Sequence, residues 1–157
     1  MKIWIDGDAA PKLMKDVVYR CSDRLRLSVT VVANSWQQTP RGDRIKMIVV
    51  GDAFDAADDY IAEQCAAGDL VVTADIPLAA RIVASGGAVI TPRGEELDSE
   101  SIDERLAMRN FMEEMRSADL VSGGPPPYGD RDRQQFANSL DRVLTRLRRL
   151  SGDPHAT

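Results

Sequence analysis

Aspartates follow three short apolar runs of this chain, and their carboxylates could bind a metal ion. The first run leads to Asp6 and Asp8, the second to a group of four aspartates, and the third to Asp75. Short apolar runs rich in Val and Ile are typical of strands buried on both faces of a parallel sheet. Ligands bind outside the carboxyl ends of such strands. Several carboxylates at that edge have no obvious structural partner, and we expect them to bind a hard divalent cation, Mg²⁺ or Mn²⁺.

The first group consists of two carboxylates separated by one glycine. Asp6, at the end of its strand, would bind the metal, and Asp8 would bind the metal or orient a water molecule. Gly7 would let backbone or ligand approach closely. Asp8 could instead cap a helix that begins at Pro11, so both roles stay open for Asp8.

The second group contains Asp52, Asp55, Asp58 and Asp59. The spacing of Asp52 and Asp55 predicts that Asp52 is the N-cap of a helix. Asp55 and Asp58 would then share one helix face, which Asp59 can also share. Carboxylates are favourable near a helix N-terminus, but this effect does not require three of them. We therefore predict metal roles for Asp55 and Asp58 and leave Asp59 as an alternative.

Asp75 forms the third group, between a strand and a helix that Pro77 would open. It could be an N-cap or a metal ligand. A metal held by the three groups would lower the pKa of a bound water and neutralise a phosphodiester oxygen. The single histidine, His155, lies in the tail, so a catalytic histidine is not expected. The sequence contains neither a GxxxxGK[ST] phosphate loop nor a GxGxxG motif.

Strands and helices that could position these groups alternate along the first two thirds of the chain. Five strands are predicted, at residues 2–5, 27–33, 47–50, 70–73 and 88–91, and three helices, at 11–24, 53–66 and 77–84. This alternation predicts a three-layer α/β fold, with a parallel sheet of about five strands, right-handed crossovers and helices on both faces.

Two further helices, at residues 100–117 and 130–150, are predicted after the last strand. The Gly- and Pro-rich stretch 122–128 between them is typical of a stiff turn or a polyproline segment. The length of 157 residues indicates one domain. We expect that domain to span residues 1–150, with a flexible tail at 151–157.

Composition and charge exclude several classes of protein. The net charge of −5 excludes a generally basic nucleic-acid coat. Cys21 and Cys65 lack metal-ligand spacing and are expected to be free thiols. No apolar run approaches the roughly 20 residues that span a bilayer, and the N-terminus lacks a signal-peptide pattern. A cytoplasmic protein without a membrane partner is expected.

Several motifs of the chain resemble the bacterial YaiI/YqxD family, whose activity is uncharacterised. They are the segments 1–11 (Met-Lys-Ile-Trp-Ile-Asp-Gly-Asp-Ala-Ala-Pro), 55–58, 68–79 and 92–94, with Met108-Arg109, Gly124-Pro125, Asp132-Arg133 and Phe136. The resemblance extends to about residue 150. It implies a PIN-like domain, a superfamily that includes metal-dependent ribonucleases and flap nucleases. By position, it implies Asp6, Asp58 (with Asp55) and Asp75 as catalytic ligands of Mg²⁺ or Mn²⁺.

Two departures from these patterns affect the prediction. Ala10 stands where members of the family often have Cys, which argues against an essential thiol. PIN sites often carry a further acid after the equivalent of Asp75, but the next acid here is Glu95. The fourth acidic position is therefore unassigned.

The resemblance favours a metal-dependent phosphodiesterase, with RNA as the first candidate substrate and DNA as the second. Five arginines are candidates for contacts with substrate phosphates: Arg81, Arg93, Arg109, Arg131 and Arg133. Only Trp36 and Tyr128 could stack on bases. The arginines near the C-terminus could also form the solvated face of a helix.

Two alternatives remain open. One is a PIN-like module that binds RNA or protein without turnover. The other is a haloacid-dehalogenase-like phosphatase, because Asp6-Gly-Asp8 resembles its nucleophile and acid pair, and Gly51-Asp52 with Asp55 resembles its late acidic motif. Ala9-Ala10-Pro11 departs from that pattern, and Asp75 would have no role in it.

Overall fold

The apolar runs form the strands of one sheet. The computed structural model describes residues 1–53, 55–118 and 126–152. Its strands are β1 (Lys2–Asp6), β2 (Ser28–Ala33), β3 (Ile45–Val49), β4 (Leu70–Val72), β5 (Ala88–Ile90) and β6 (Glu96–Leu97). Its helices are α1 (Lys12–Leu25), α2 (Ala56–Gln64), α3 (Ile76–Ala84), α4 (Ser99–Ser117) and α5 (Asp130–Leu150). The predicted α/β fold with two C-terminal helices is confirmed.

The order of the strands determines where a ligand cleft can form. The order is β3-β2-β1-β4-β5-β6, and every neighbouring pair is parallel except β5 and β6. The chain moves outward from β1 to β3 and then returns to place β4 on the other side of β1. Such a reversal is a topological switch point, where the carboxyl ends of two strands open a crevice. Asp6 ends β1 at this point, and Thr73 directly follows β4.

Helices cover both faces of the sheet, which gives the predicted three layers. Alternate residues of a strand point to opposite faces, and in β1 Ile3 and Ile5 pack on one core while Trp4 packs on the other. The first core also contains Met14 and Val18 of α1 and Phe136, Leu140, Val143 and Leu144 of α5. The second contains Ile61 of α2, Leu78 and Ile82 of α3, and Ile102 of α4. Each large apolar side chain buried in this way contributes about 1.5–3 kcal/mol.

A buried carboxylate joins β1 to the amino end of β4. Asp69, which is 5% exposed, accepts hydrogen bonds from the backbone N–H of Lys2 (2.9 Å), the indole N–H of Trp4 (3.1 Å) and the backbone N–H of Ala66 (2.9 Å). A buried carboxylate is tolerated because these donors replace its water. Asp69 therefore helps to fix the relative position of the two strands that flank the switch point.

The sheet contains one more strand than predicted. Strand β6 pairs antiparallel with β5, and the connecting turn contains Gly94 with φ of +94°. A Cβ at Gly94 would lie 2.6 Å from the carbonyl oxygen of Gln135 in α5, so the turn requires glycine for conformation and for space. A strand of two residues is too short for an alternating pattern, so β6 could not be predicted from periodicity.

Helix α2 begins three residues later than predicted. Asp55 precedes the helix with φ of 63°, a left-handed conformation in which an α-helix does not continue. Asp52 is therefore too far upstream to cap α2, and the prediction that it does so is wrong. The helix ends at Gln64 because Cys65 has an extended backbone.

The remaining predictions concern the two thiols, membrane-spanning helices, and the segments 122–128 and 151–157. Cys21 is buried, Cys65 is half-buried, and both are free. Across the described ranges, no helix is long and apolar enough to cross a membrane. Residues 122–125 of the predicted stiff turn and 153–157 of the predicted tail lie outside the described residues.

Candidate functional site

A cleft lined by aspartates lies at the carboxyl edge of the sheet. It has a volume of about 290 Å³. Six aspartates line it: Asp6, Asp8, Asp52, Asp55, Asp58 and Asp75. They come from the end of β1, the β3–α2 segment, the first turn of α2 and the β4–α3 junction. All five predicted metal ligands therefore share this cleft, together with Asp52.

Asp6 is held at the switch point by a hydrogen bond from the neighbouring strand. The hydroxyl of Thr73 donates to Asp6 Oδ2 at 3.0 Å and accepts from the backbone N–H of Asp75 at 3.0 Å. Burial raises the pKa of Asp6, and the charges of Asp8 and Asp75 add to this, while the Thr73 bond opposes it. Thr73 thus links the carboxylate of Asp6 to the backbone of Asp75. Thr73 was predicted only as the last residue of a strand. Its position two residues before Asp75 was the one sequence signal of its role in the site.

Gly7 allows the chain to turn closely after Asp6. Its N–H donates to the carbonyl oxygen of Val32 at 2.8 Å, and a Cβ at this position would lie 2.9 Å from Val31 Cγ1. Any side chain would therefore push the end of β1 away from β2. Strand β2 is therefore the backbone that approaches Gly7 closely, as the glycine predicted.

Asp58 carries the largest electrostatic perturbation of the cleft. It lies in the first turn of α2. Burial, the charges of Asp75 and Asp6, a hydrogen bond with Asp75 and the charge of Asp55 raise its pKa to about 7. The neighbouring like charges disfavour the ionised form of Asp58. Near neutral pH, Asp58 is therefore divided between its protonated and ionised forms.

Asp75 combines the two roles that the sequence left open. Its Oδ1 accepts a hydrogen bond from the backbone N–H of Leu78 at 2.9 Å and caps α3. Its side chain also lines the cleft, and its charge contributes to the raised pKa of Asp58. The cap fixes the orientation of this carboxylate beside Asp58.

Asp8 anchors a loop and does not cap α1. The N-cap of α1 is Pro11, without a side-chain cap, so the alternative role of Asp8 is wrong. Asp8 Oδ1 instead accepts from the backbone N–H of Asn34 at 2.8 Å. Asp55 occupies the N-cap position of α2 but makes no capping hydrogen bond with its side chain, which leaves that carboxylate exposed in the cleft.

Asp59 does not belong to the cleft lining. It forms an ion pair with Arg81 at 2.7 Å, and both side chains are about half exposed. This contact gives Asp59 and Arg81 a local structural role. It also makes Asp59 a useful control, because it lies one residue from Asp58 on the same helix.

The other predicted phosphate contacts lie on or against the C-terminal helices. Arg93 pairs with Asp132 at 2.8 Å and lies over the ring of Tyr128, 5.9 Å from its centroid. The Tyr128 hydroxyl donates to the carbonyl oxygen of Pro92 at 2.7 Å. These contacts dock the Pro92–Gly94 turn on α5. Tyr128 is therefore engaged in packing, which reduces its availability to stack on a base.

The remaining three arginines lie on α4 and α5. Arg109 and Arg131 are exposed, and Arg133 lies 3.5 Å from Asp130 in a groove that also contains Arg20 and Arg24. Among the described residues, none of the five predicted arginines lines the acidic cleft. Their contact with substrate phosphate stays a prediction.

The carboxylate oxygens that line the cleft are chemically suited to bind a hard cation. Carboxylate oxygens are the ligands that Mg²⁺ and Mn²⁺ prefer, and a cation would remove the repulsion that raises the pKa of Asp58. Within residues 1–53, 55–118 and 126–152, no three His, Cys, Asp or Glu side chains stand close enough to hold a metal ion.

Fold and site together define a three-layer α/β protein with an acidic cleft at its switch point. A family model described as "Uncharacterized BCR, YaiI/YqxD family" matches residues 4–146. The chain therefore belongs to the YaiI/YqxD family, as its motifs predicted.

Three similar bacterial proteins carry the name UPF0178 protein. The one from Geobacter metallireducens is 55% identical over 147 residues, which covers 94% of this chain and 95% of the relative. Those from Pseudomonas fluorescens and Klebsiella pneumoniae are 48% and 47% identical and cover 96% and 97% of this chain, with all of each relative matched. No solved structure matches the chain.

Proposed function

We propose that this protein is a divalent-metal-dependent phosphodiesterase, a nuclease with a PIN-like site whose substrate is RNA, with DNA as the alternative substrate. One observation carries the proposal: Asp6, Asp58 and Asp75 share a cleft at the switch point, where burial and the charges of Asp75 and Asp6 raise the pKa of Asp58 to about 7. Strongly perturbed acids in a cleft are typical of functional sites. A cluster with a purely structural role would normally be paired with cations.

Each carboxylate has a distinct part in the proposed site. Asp6, Asp58 and Asp75 would hold Mg²⁺ or Mn²⁺, with Asp8 and Asp55 as neighbouring acids. The bound ion would activate water and neutralise charge on the scissile phosphate. Thr73 orients Asp6 through its hydroxyl, and the backbone N–H of Leu78 orients Asp75. Asp58 must release a proton before it can serve as a ligand.

Cleavage of mixed single-stranded RNA in Mn²⁺ tests the proposal. We expect the wild type to cleave, Asp6→Asn and Asp75→Asn to lose activity, and Asp59→Asn to retain it. Equal activity in the wild type and Asp6→Asn would indicate a contaminating nuclease or a site elsewhere, and would overturn the assignment. A matched single-stranded DNA decides between RNA and DNA as the substrate.

A binding module without turnover is the second candidate, because among the described residues no three His, Cys, Asp or Glu side chains form a group that could hold a metal ion. Binding of Mn²⁺ and RNA without hydrolysis under any divalent ion would support this function instead.

A haloacid-dehalogenase-like phosphatase is a third candidate, because Asp6, Asp8 and Asp52 line one cleft. Asp8 is already bonded to the Asn34 backbone, and Asp75 has no role in such a mechanism. Beryllofluoride trapping at Asp6 in Mg²⁺ would support the phosphatase, and a failure to trap it would count against that function.

A further inference from the structure

We propose that Trp36 is a stacking platform for a base of single-stranded nucleic acid bound at the acidic cleft. The inference rests on the proposed function, because it names the form of nucleic acid that this site would take. Trp36 lies in the loop between β2 and β3, and 70% of its surface is exposed. The other tryptophan, Trp4, is 5% exposed in the core.

Hydrogen bonds on both sides of Trp36 hold its loop against the turn that follows β1. The backbone N–H of Asn34 donates to Asp8 Oδ1 at 2.8 Å. The side-chain amide of Gln37 donates to the carbonyl oxygen of Gly7 at 2.7 Å and accepts from Lys15 Nζ at 2.8 Å. The segment 34–37 is therefore tied to the residues directly after Asp6.

This anchoring places Trp36 beside the cleft. Asn34 and Asp8 both line the cleft, and the Cα of Trp36 lies within about 7 Å of the Cα of Asn34 because two peptide units separate them. The loop connects two adjacent parallel strands without a helix. It therefore holds Trp36 two residues from the cleft lining, with a large apolar ring that is exposed and gains nothing from the core.

The surroundings of Trp36 favour a nucleobase as its partner. Its chain neighbours are polar, in the sequence Asn34-Ser-Trp-Gln-Gln-Thr39, so Trp36 is the one large apolar side chain of this segment. A stable protein interface needs a broader patch with an apolar core. A single indole is sufficient to stack one base, and Lys15 in the same anchor supplies a positive charge near the strand.

Stacking on Trp36 requires a base that is free of its partner strand. The substrate would therefore be a single strand, a loop or an end, since a paired base in a duplex does not expose its face. Because every base has such a face, little sequence preference is expected. RNA and DNA share this chemistry, and the 2′-hydroxyl would distinguish them elsewhere in the site.

Binding of a single-stranded oligoribonucleotide of about 12 nucleotides, in Ca²⁺ to limit cleavage, tests the proposal. We expect Trp36→Ala to bind about 5- to 150-fold more weakly and Trp36→Phe to lose less. Phe111→Ala, which removes an aromatic ring that is 52% exposed on α4, is the matched control and should bind normally. Saturating oligonucleotide should quench tryptophan fluorescence in the wild type but not in Trp36→Phe.

Further arms separate stacking from phosphate contact and from catalysis. An abasic oligonucleotide should bind weakly and equally to the wild type and Trp36→Ala. DNA of the same sequence tests whether the sugar matters, and an RNA duplex tests whether a single strand is required. Unchanged affinity in Trp36→Ala would overturn stacking, and Asp6-dependent cleavage by that variant would leave the nuclease assignment standing. Binding through Trp36 with no hydrolysis would support stacking and overturn the nuclease, and no binding of any oligonucleotide would overturn both.

Discussion

Replacement of Asp58 by Asn should stabilise the metal-free protein at neutral and alkaline pH. The pKa of Asp58 is raised from 3.8 to about 7 by burial and by neighbouring carboxylates. The protonated form therefore contributes stability that is fully present below about pH 4 and is lost as the pH rises towards 7. Asn keeps the approximate shape and can donate to Asp75 without carrying the charge.

The expected gain follows from the size of the pKa change. For a fully buried carboxyl, a rise to about 7 would correspond to about 4 kcal/mol. Asp58 is partly exposed in the cleft, and solvent screening reduces the expected gain to about 1–2 kcal/mol. In a protein of this length, that gain raises Tm by about 2–8 °C.

Thermal unfolding in EDTA between pH 4 and pH 9 measures this gain. The Tm values of the wild type and Asp58→Asn should agree near pH 4 and separate as the pH rises to 7, with the variant more stable above it. Asp59→Asn, which removes only an exposed ion pair with Arg81, should show no such gain. If the Tm of Asp58→Asn stays parallel to that of the wild type at every pH, the electrostatic account of the cleft is wrong.

Three further predictions concern the same cleft. Mn²⁺ should bind more tightly at pH 8 than at pH 6, because it must displace the proton of Asp58, and calorimetry at both pH values checks this; equal affinities would contradict it. Thr73→Val removes the hydroxyl between Asp6 and Asp75. It should lower metal affinity or activity about 10- to 100-fold and the free energy of unfolding by only about 1 kcal/mol, and unchanged affinity and activity would refute the linking role. Gly7→Ala places a Cβ 2.9 Å from Val31 Cγ1 and should lower the free energy of unfolding by about 1–3 kcal/mol in denaturant titration, whereas an unchanged midpoint would show that β1 can shift without penalty.

The alternation of strands and helices predicted the parallel sheet, because each parallel connection needs a crossover. It did not predict the order of the strands, which depends on the side of β1 on which β4 pairs. That choice creates the switch point between Asp6 and Thr73. The rule that carboxyl ends of parallel strands share one edge was sufficient to group the acids at that edge.

The capping role predicted for Asp75 is confirmed, whereas those considered for Asp8 and Asp52 failed for a local reason. A capping residue is defined by its backbone conformation as much as by its side chain. The left-handed conformation of Asp55 delays the start of α2, and Pro11 is itself the N-cap of α1. These conformations leave no mark in the spacing of Asp8 or Asp52.

The structural roles of Asp69 and Thr73 depend on tertiary contacts that residue type alone does not reveal. Asp69 receives donors from Lys2 and Trp4, more than 60 residues earlier in the chain. Thr73 reaches Asp6 across two paired strands. Both side chains act through strand register, which only the folded sheet supplies.

The most direct test of the proposed metal site is anomalous scattering from a crystal soaked in Mn²⁺ near pH 8. The account predicts one ion among Asp6, Asp58 and Asp75, with carboxylate oxygens at about 2–2.6 Å, and no ion in Asp58→Asn. Carboxylates that stay more than about 8 Å apart around an empty cleft, or an ion bound only elsewhere, would contradict it.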